Sequence, residues 1–232
     1  MKILFNADDF GLTKGVTDGI MKAHLDGIVG ATTLMMNGYA TTYAIQKAKE
    51  RRTLKVGIHL VLTWGQSLRN DVPDLVTPDG TFKYNNTYRM MEPPNLAQVE
   101  KEWSAQIEAF LATGLPLHHI DSHHHVHGWE PLQSVIIKLA KHYRVPVRYV
   151  DHLKSYPDLL LTDTLYLDFY DDGVSDQIFE DLKQLDVQSV EVMTHPAYID
   201  HDLREVSSYL DKREEELAIL CRLEKPEWME VF

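Results

Sequence analysis

Short apolar runs rich in strand formers alternate with stretches of helical period along almost the whole chain, and that alternation leaves few folds open. "KILFNAD" (2–8) reads as a buried strand. Segment 13–27 then carries Val16, Ile20 and Ala23 at helical spacing before Gly27. Residues 28–38 return to strand, 43–50 to helix and "LKVGIHLVLT" (54–63) to strand. Helical period resumes over 97–113, where Val99, Trp103, Ile107, Phe110 and Leu111 form one apolar stripe ended by Gly114. "LHHIDSH" (117–123), "VPVRYVD" (145–151), "DTLYLDFY" (163–170) and "VQSVEVMTH" (187–195) read as further strands. Helices are predicted after Pro131 and over 175–185 and 202–222. Strands that alternate with helices form a parallel sheet with right-handed crossovers. At least six alternations without a Pro/Gly/Ser-rich linker predict one α/β domain over 1–232. The expected architecture is a (β/α) barrel, distorted or incomplete, of the glycoside hydrolase/deacetylase type. A dinucleotide-binding fold is disfavoured, because no G-x-G-x-x-G follows the first strand.

The rhythm breaks once. Residues 64–96 carry turn signals and no sustained period, and so read as a long insertion. An irregular stretch of that length in a compact domain is usually functional or mobile.

A net charge of -12 over 232 residues argues against nucleic acid and anionic membrane surfaces as partners. It leaves room for a neutral or cationic small molecule. Cys221 is the single cysteine, so no intrachain disulfide and no thiolate metal cage can form. The first residues lack the apolar core of a signal peptide, and no apolar run approaches the roughly 20 residues of a membrane span. Together these features predict a cytoplasmic protein.

In barrels and open parallel sheets the active site lies at the C-terminal ends of the strands. The conspicuous polar residues fall there. Asp8 and Asp9 close the first strand, His59 lies late in "KVGIHL", Arg148 closes "VPVR" and His195 follows "EVMT". The tract "HIDSHHHVHG" (119–128) follows another strand, and six of the twelve histidines lie between His118 and His127. If the extended backbone runs through 119–125, then His119, Asp121, His123 and His125 share one face while His124 points away. Each residue alone has a plainer reading: a solvated turn for Asp8 and Asp9, a core histidine for His59, a surface charge for Arg148, a turn before Pro196 for His195. Their convergence on one rim points to a site.

"NADDFG", "GIHL", "DSHHHVH", the arginine of "VPVR" and "THP", in this order over residues 3 to 198, resemble the YdjC-like (ChbG-type) carbohydrate deacetylases. The resemblance implies a hydrolase of carbohydrate metabolism and polysaccharide degradation. It would remove the acetyl group from N-acetylated sugars, of chitooligosaccharide or N-acetylglucosamine type, and release acetate. It implies a divalent metal held by Asp9, His59 and His123, with Asp8 as base and His195 as acid. It further implies magnesium and a homodimer. Imidazole plus carboxylate ligation suits zinc better than magnesium, so zinc is the chemical alternative.

The residues carry this chemistry without the family. Three protein ligands with open positions are the layout of a catalytic metal site. Arg148 would keep Asp8 ionised. Asp121 would accept the free N–H of a ligating histidine. His125 is the rival acid. In the insertion, Trp64, Phe82, Tyr84 and Tyr88 are candidates to stack on sugar rings or to meet a partner subunit. Two other readings stay open. A metal-dependent hydrolase of phosphoesters or non-sugar amides could use the same barrel, although Arg148 is the one evident rim cation. A non-catalytic metal- or sugar-binding protein would need the ligands but not Asp8 and His195.

Overall fold

β1 (Lys2–Phe10) is buried along all but its first residue, so it must be covered on both faces and lie inside a sheet. The computed structural model describes residues 1–232, the side chain of Val231 excepted. Around β1 run β2 (Ala31–Leu34), β3 (Lys55–Leu60), β4 (Ile120–Ser122), β5 (Thr164–Tyr166) and β6 (Ser189–Thr194). All pairings are parallel and the order is β4-β3-β2-β1-β6-β5. A short β7 (Glu230–Val231) pairs with the start of β1. The crossover helices are α1 (Lys14–Leu25), α2 (Thr41–Glu50), α3 (Leu96–Ala112), α4 (Gln133–Tyr143) and α5 (Ile178–Lys183), with α6 (His201–Val206) and α7 (Asp211–Arg222) before β7. Their apolar faces cover the sheet as patterned: Val16, Ile20 and Ala23 of α1 and Trp103, Ile107 and Phe110 of α3 are buried. Leu111 departs from the predicted stripe and is exposed. Among the described residues no helix is long and apolar enough to cross a membrane.

The sheet curls into a partial barrel. Beyond β4 the ring continues through two single-residue bridges, Ile120 to Val147 and Val147 to Leu160. The strand predicted over 145–151 therefore shrinks to one bridging residue. Pro146 has no N–H to donate, and a 3₁₀ turn begins at Asp151. The strand predicted over 117–123 keeps Ile120–Ser122 alone, because His124 and His125 take left-handed backbone conformations (φ 54° and 55°). The helix predicted over 202–222 splits at 207–210, where the Ser207 hydroxyl bonds to the backbone of Tyr209.

The insertion between β3 and α3 is tied down. The carboxylate of Glu102 on α3, fully buried, accepts the backbone N–H groups of Leu68 and Arg69, each at 3.0 Å. Val72, Leu75, Phe82, Tyr84 and Tyr88 are buried in the main core. The segment is a wall of the fold.

Candidate active site

The end of β1 separates two adjacent carboxylates. Asp9 has φ 69°, a conformation that non-glycine residues rarely adopt, and the pairing of β1 with β2 slips between Ala7 and Phe10. The break sends the two side chains to different partners. Asp9 Oδ1 lies 3.0 Å from His123 Nδ1 and 3.4 Å from His59 Nε2, while Arg213 donates to Oδ2 at 2.8 Å. One potential ligand atom from each of Asp9, His59 and His123 lies within 4.8 Å of the others. Burial works against an ionised Asp9, but Arg213 and His123 outweigh it and hold the carboxyl well below its ordinary value.

His59 is aimed from behind. Register places it beside Asp121 of β4, and its Nδ1 lies 2.7 Å from Asp121 Oδ1 and 3.1 Å from Thr33 Oγ1. That leaves Nε2 for the Asp9 side. Burial disfavours a charged His59, yet the charge and hydrogen bond of Asp121 outweigh it and push the imidazole up to about 10. A site that draws a proton onto Nε2 in this way could also hold a metal cation, for which the proton must leave.

Asp8 turns inward to Arg148, which donates from Nη1 to Oδ2 at 2.6 Å and from Nη2 to Oδ1 at 2.5 Å. Asn6 donates to the same Oδ1 at 2.9 Å. Arg148 is fully buried and also meets Asp121 Oδ2 at 2.9 Å and Glu191 Oε1 at 2.7 Å through Nη2. Burial alone would raise the Asp8 carboxyl; the Arg148 charge and its hydrogen bonds reverse this and hold it well below the carboxylate range. Asp8 is therefore an ionised acceptor beside the histidine–carboxylate cluster.

Both carboxylates border a cavity of about 710 Å³, within the usual size of a small-molecule site. His195 lines it, with its ring edge-on to Tyr170 and Tyr209 at 5.6 and 5.8 Å between centroids. Its backbone N–H donates to Glu216, and its buried Nδ1 has no partner among the described residues. Burial, helped by Arg213, lowers the His195 imidazole to about 4. His125 also lines the cavity, 3.1 Å from Met193 Sδ, and burial, helped by Arg148, lowers it to about 3.

A family model described as YdjC-like protein matches residues 2–231. The chain belongs to the YdjC-like family. Proteins named carbohydrate deacetylase are similar over nearly the full length. One from Oceanobacillus iheyensis is 59% identical over 230 residues, covering 99% of this chain and 100% of that protein. One from Halalkalibacterium halodurans is 41% identical and covers 98% of each. A crystal structure from Enterococcus faecalis V583, described provisionally as a cellobiose-phosphate cleavage protein, superposes with a TM-score of 0.88 at 35% identity. The match covers 95% of this chain and 90% of that one.

This YdjC-like chain brings Asp8, Asp9, His59, His123, His125 and His195 to one cavity, with Asp121 and Arg148 directly behind them. Strand alternation is not the reason His123 and His125 meet there; the left-handed turn after Ser122 is. That same turn carries His124 to the cavity wall, 3.0 Å from Thr63 Oγ1, against the expectation that it points away. The aromatic expectations divide. Trp64 lines the cavity, 6.5 Å from the His123 ring. Tyr84 and Tyr88 do not offer stacking faces: they are buried against Trp129 at 5.8 and 5.3 Å, and Phe82 is buried as well. Asn85 and Asn86 are what that part of the insertion presents.

Three contributions were not anticipated. Arg213 sits in "DKREEEL", which reads as a solvated helical face. Tyr170 and Tyr209 stack on each other 4.1 Å apart beside His195, from segments with no motif. Glu191 had a signal, a lone acid within the apolar run "SVEVM".

Proposed function

We propose that this chain is a metal-dependent carbohydrate deacetylase that hydrolyses the acetamide of an N-acetylated sugar, of chitooligosaccharide or N-acetylglucosamine type, to acetate and an amino sugar. One observation carries the reading: a carboxylate–histidine–histidine cluster opens on a cavity beside a second carboxylate that arginine keeps ionised.

The donor set fits a divalent ion. Asp9 Oδ1, His59 Nε2 and His123 are three ligands, and His123, whose side chain is 13% exposed, leaves the cavity side open. When bound, such an ion supplies a Lewis acid for the acetyl carbonyl and lowers the pKa of a water. Asp121 fixes the His59 ring, as partners behind a metal-ligating histidine do. Asp8, held by two hydrogen bonds from Arg148, receives the proton of the attacking water. His195 delivers a proton to the departing nitrogen. Its low pKa leaves it neutral at rest; the proton it passes on is the one Asp8 has taken from the water, and the negative charge developing at the carbonyl favours its protonated form. Two imidazoles and a carboxylate suit zinc better than magnesium, the ion implied by the resemblance; reconstitution with each separates them.

Phosphoester hydrolysis is disfavoured because the cavity arginine, Arg213, is held by Asp9, and Arg148, behind the cavity, is held by Asp8, Asp121 and Glu191. A binding protein without catalysis has no use for a base held as Asp8 is. The homodimer remains part of the proposal, though not through Phe82, Tyr84 and Tyr88, which are buried within the chain. Acetate release from diacetylchitobiose, run beside a phosphomonoester and a simple amide, tests the assignment. Turnover of the sugar alone supports it; hydrolysis of the phosphomonoester alone overturns it.

A further inference from the structure

Behind Asp8, away from the cavity, the interior of the curled sheet holds polar side chains where packed branched ones are usual. Glu191, on β6, is fully buried. Its Oε1 accepts from Arg148 Nε at 2.9 Å and Nη2 at 2.7 Å, while its Oε2 is buried with no partner among the described residues. His119, just before β4, is also fully buried. Its Nδ1 lies 2.9 Å from Nδ1 of His118, and its Nε2 likewise has no partner. Ligand-capable atoms of His119, Asp121 and Glu191 lie within 4.8 Å of one another. Each buried polar atom left unsatisfied costs about 1–3 kcal/mol, so two orphans in one cluster call for a common occupant.

A metal ion is the wrong one. Arg148 Nη2 already lies 2.9 Å from Asp121 Oδ2 and 2.7 Å from Glu191 Oε1, so a cation there would meet a guanidinium. A proton is the right one. Arg148 faces three buried carboxylates, and even with His59 on Asp121 two positive charges cannot offset three negative ones. Asp8 has both oxygens on Arg148. Asp121 has Oδ1 on His59 and Oδ2 on Thr33 and Arg148. Only Glu191 has an oxygen to spare.

We propose that Glu191 is a neutral carboxylic acid whose Oε2–H turns to the unpartnered Nε2 of His119, and that it thereby positions Arg148 on the base Asp8. The tautomers agree: His119 Nδ1–H donates to His118, which leaves Nε2 as an acceptor. Burial pushes Glu191 up to about 7 and holds His119 well below the ordinary imidazole value, so the carboxyl keeps the proton. The charged and titratable groups around Glu191 are Asp8 on β1, His119 and Asp121 at β4, and Arg148 after Pro146, with His59 of β3 beyond Asp121. A neutral Glu191 still accepts from Arg148 through Oε1 but does not compete with Asp8 for its charge. The positioning role rests on Asp8 acting as base; the protonation state does not.

The test uses the metal-loaded protein. Glu191→Gln keeps an acceptor for Arg148 and an N–H for His119, whereas Glu191→Leu removes both. The Gln variant should keep the wild-type kcat. The Leu variant should lose about 10–100-fold in kcat, with KM and bound metal unchanged, as expected for a partner behind the reacting groups. Infrared difference spectra below neutral pH, wild type minus Glu191→Gln, should show the carbonyl stretch of a buried protonated carboxyl. A carboxylate band in its place overturns the protonation state whatever the enzyme acts on, and should the Leu variant not fold, this measurement stands alone. A Gln variant whose kcat falls with its bound metal intact overturns the positioning role.

Discussion

Replacing Arg148 by Met removes one charge and little volume. In the folded protein Arg148 is fully buried and bonds Asp8 twice, Glu191 twice and Asp121 once. Its loss strands buried carboxylates without their cation, and breaking a buried pair in this way costs about 3–5 kcal/mol. For a chain of this size that corresponds to about 6–20 °C in melting temperature. The pH dependence gives the sharper signature. Asp8 has a folded-state pKa depressed by Arg148, so its stabilisation is complete above the ordinary carboxylate pKa and is lost as pH falls through the depressed value. Without Arg148, burial is opposed only by Asn6, His59 and His195, and the same carboxyl binds its proton more readily. The gap between wild type and Arg148→Met should therefore be widest near neutral pH and narrow as pH falls toward about 4. Thermal unfolding across that range measures it. A gap below about 1 kcal/mol, or one independent of pH, would show that Arg148 is not the counter-charge described here.

Three further outcomes follow from the site. Asp8→Asn should retain its metal and lose about 10²–10⁴-fold in turnover, checked by metal content and rate on the same sample. His195→Ala should slow deacetylation of the natural sugar far more than that of an activated acetanilide, whose leaving group needs no proton; if His125→Ala shows that pattern instead, the acid is His125. Trp64→Ala should raise KM for chitooligosaccharides without lowering melting temperature, whereas Tyr84→Ala should cost about 3–5 kcal/mol of stability and leave KM unchanged, as an interior aromatic does.

The strand ends were legible because a parallel sheet puts polar residues there for a reason that acts through the backbone. Asp8, Asp9, His59 and His195 follow apolar runs, and no packing demand explains them. The 123–125 turn was not legible. No pattern in "SHHHV" signals two successive left-handed residues, so alternation brought the right side chains to the cavity for the wrong reason and sent His124 away. Arg213 was hidden because a charge on a charged helix looks solvated until the helix is docked; its N–H reaches Asp9 across 204 residues of chain. Within 64–96 the absence of a period removes the means of telling a buried aromatic from an exposed one. Tyr84 and Trp64 look alike in sequence and differ only in whether Trp129 covers them.

The central claim is that Asp9, His59 and His123 hold one divalent ion on which deacetylation depends. Stripping the protein with a chelator and titrating metal back while following acetate release from diacetylchitobiose tests it most directly. The expected result is no turnover in the stripped protein and recovery that saturates at one equivalent, absent from His123→Ala at the same metal concentration. Undiminished acetate release from metal-free protein, or full recovery in His123→Ala, would contradict the account.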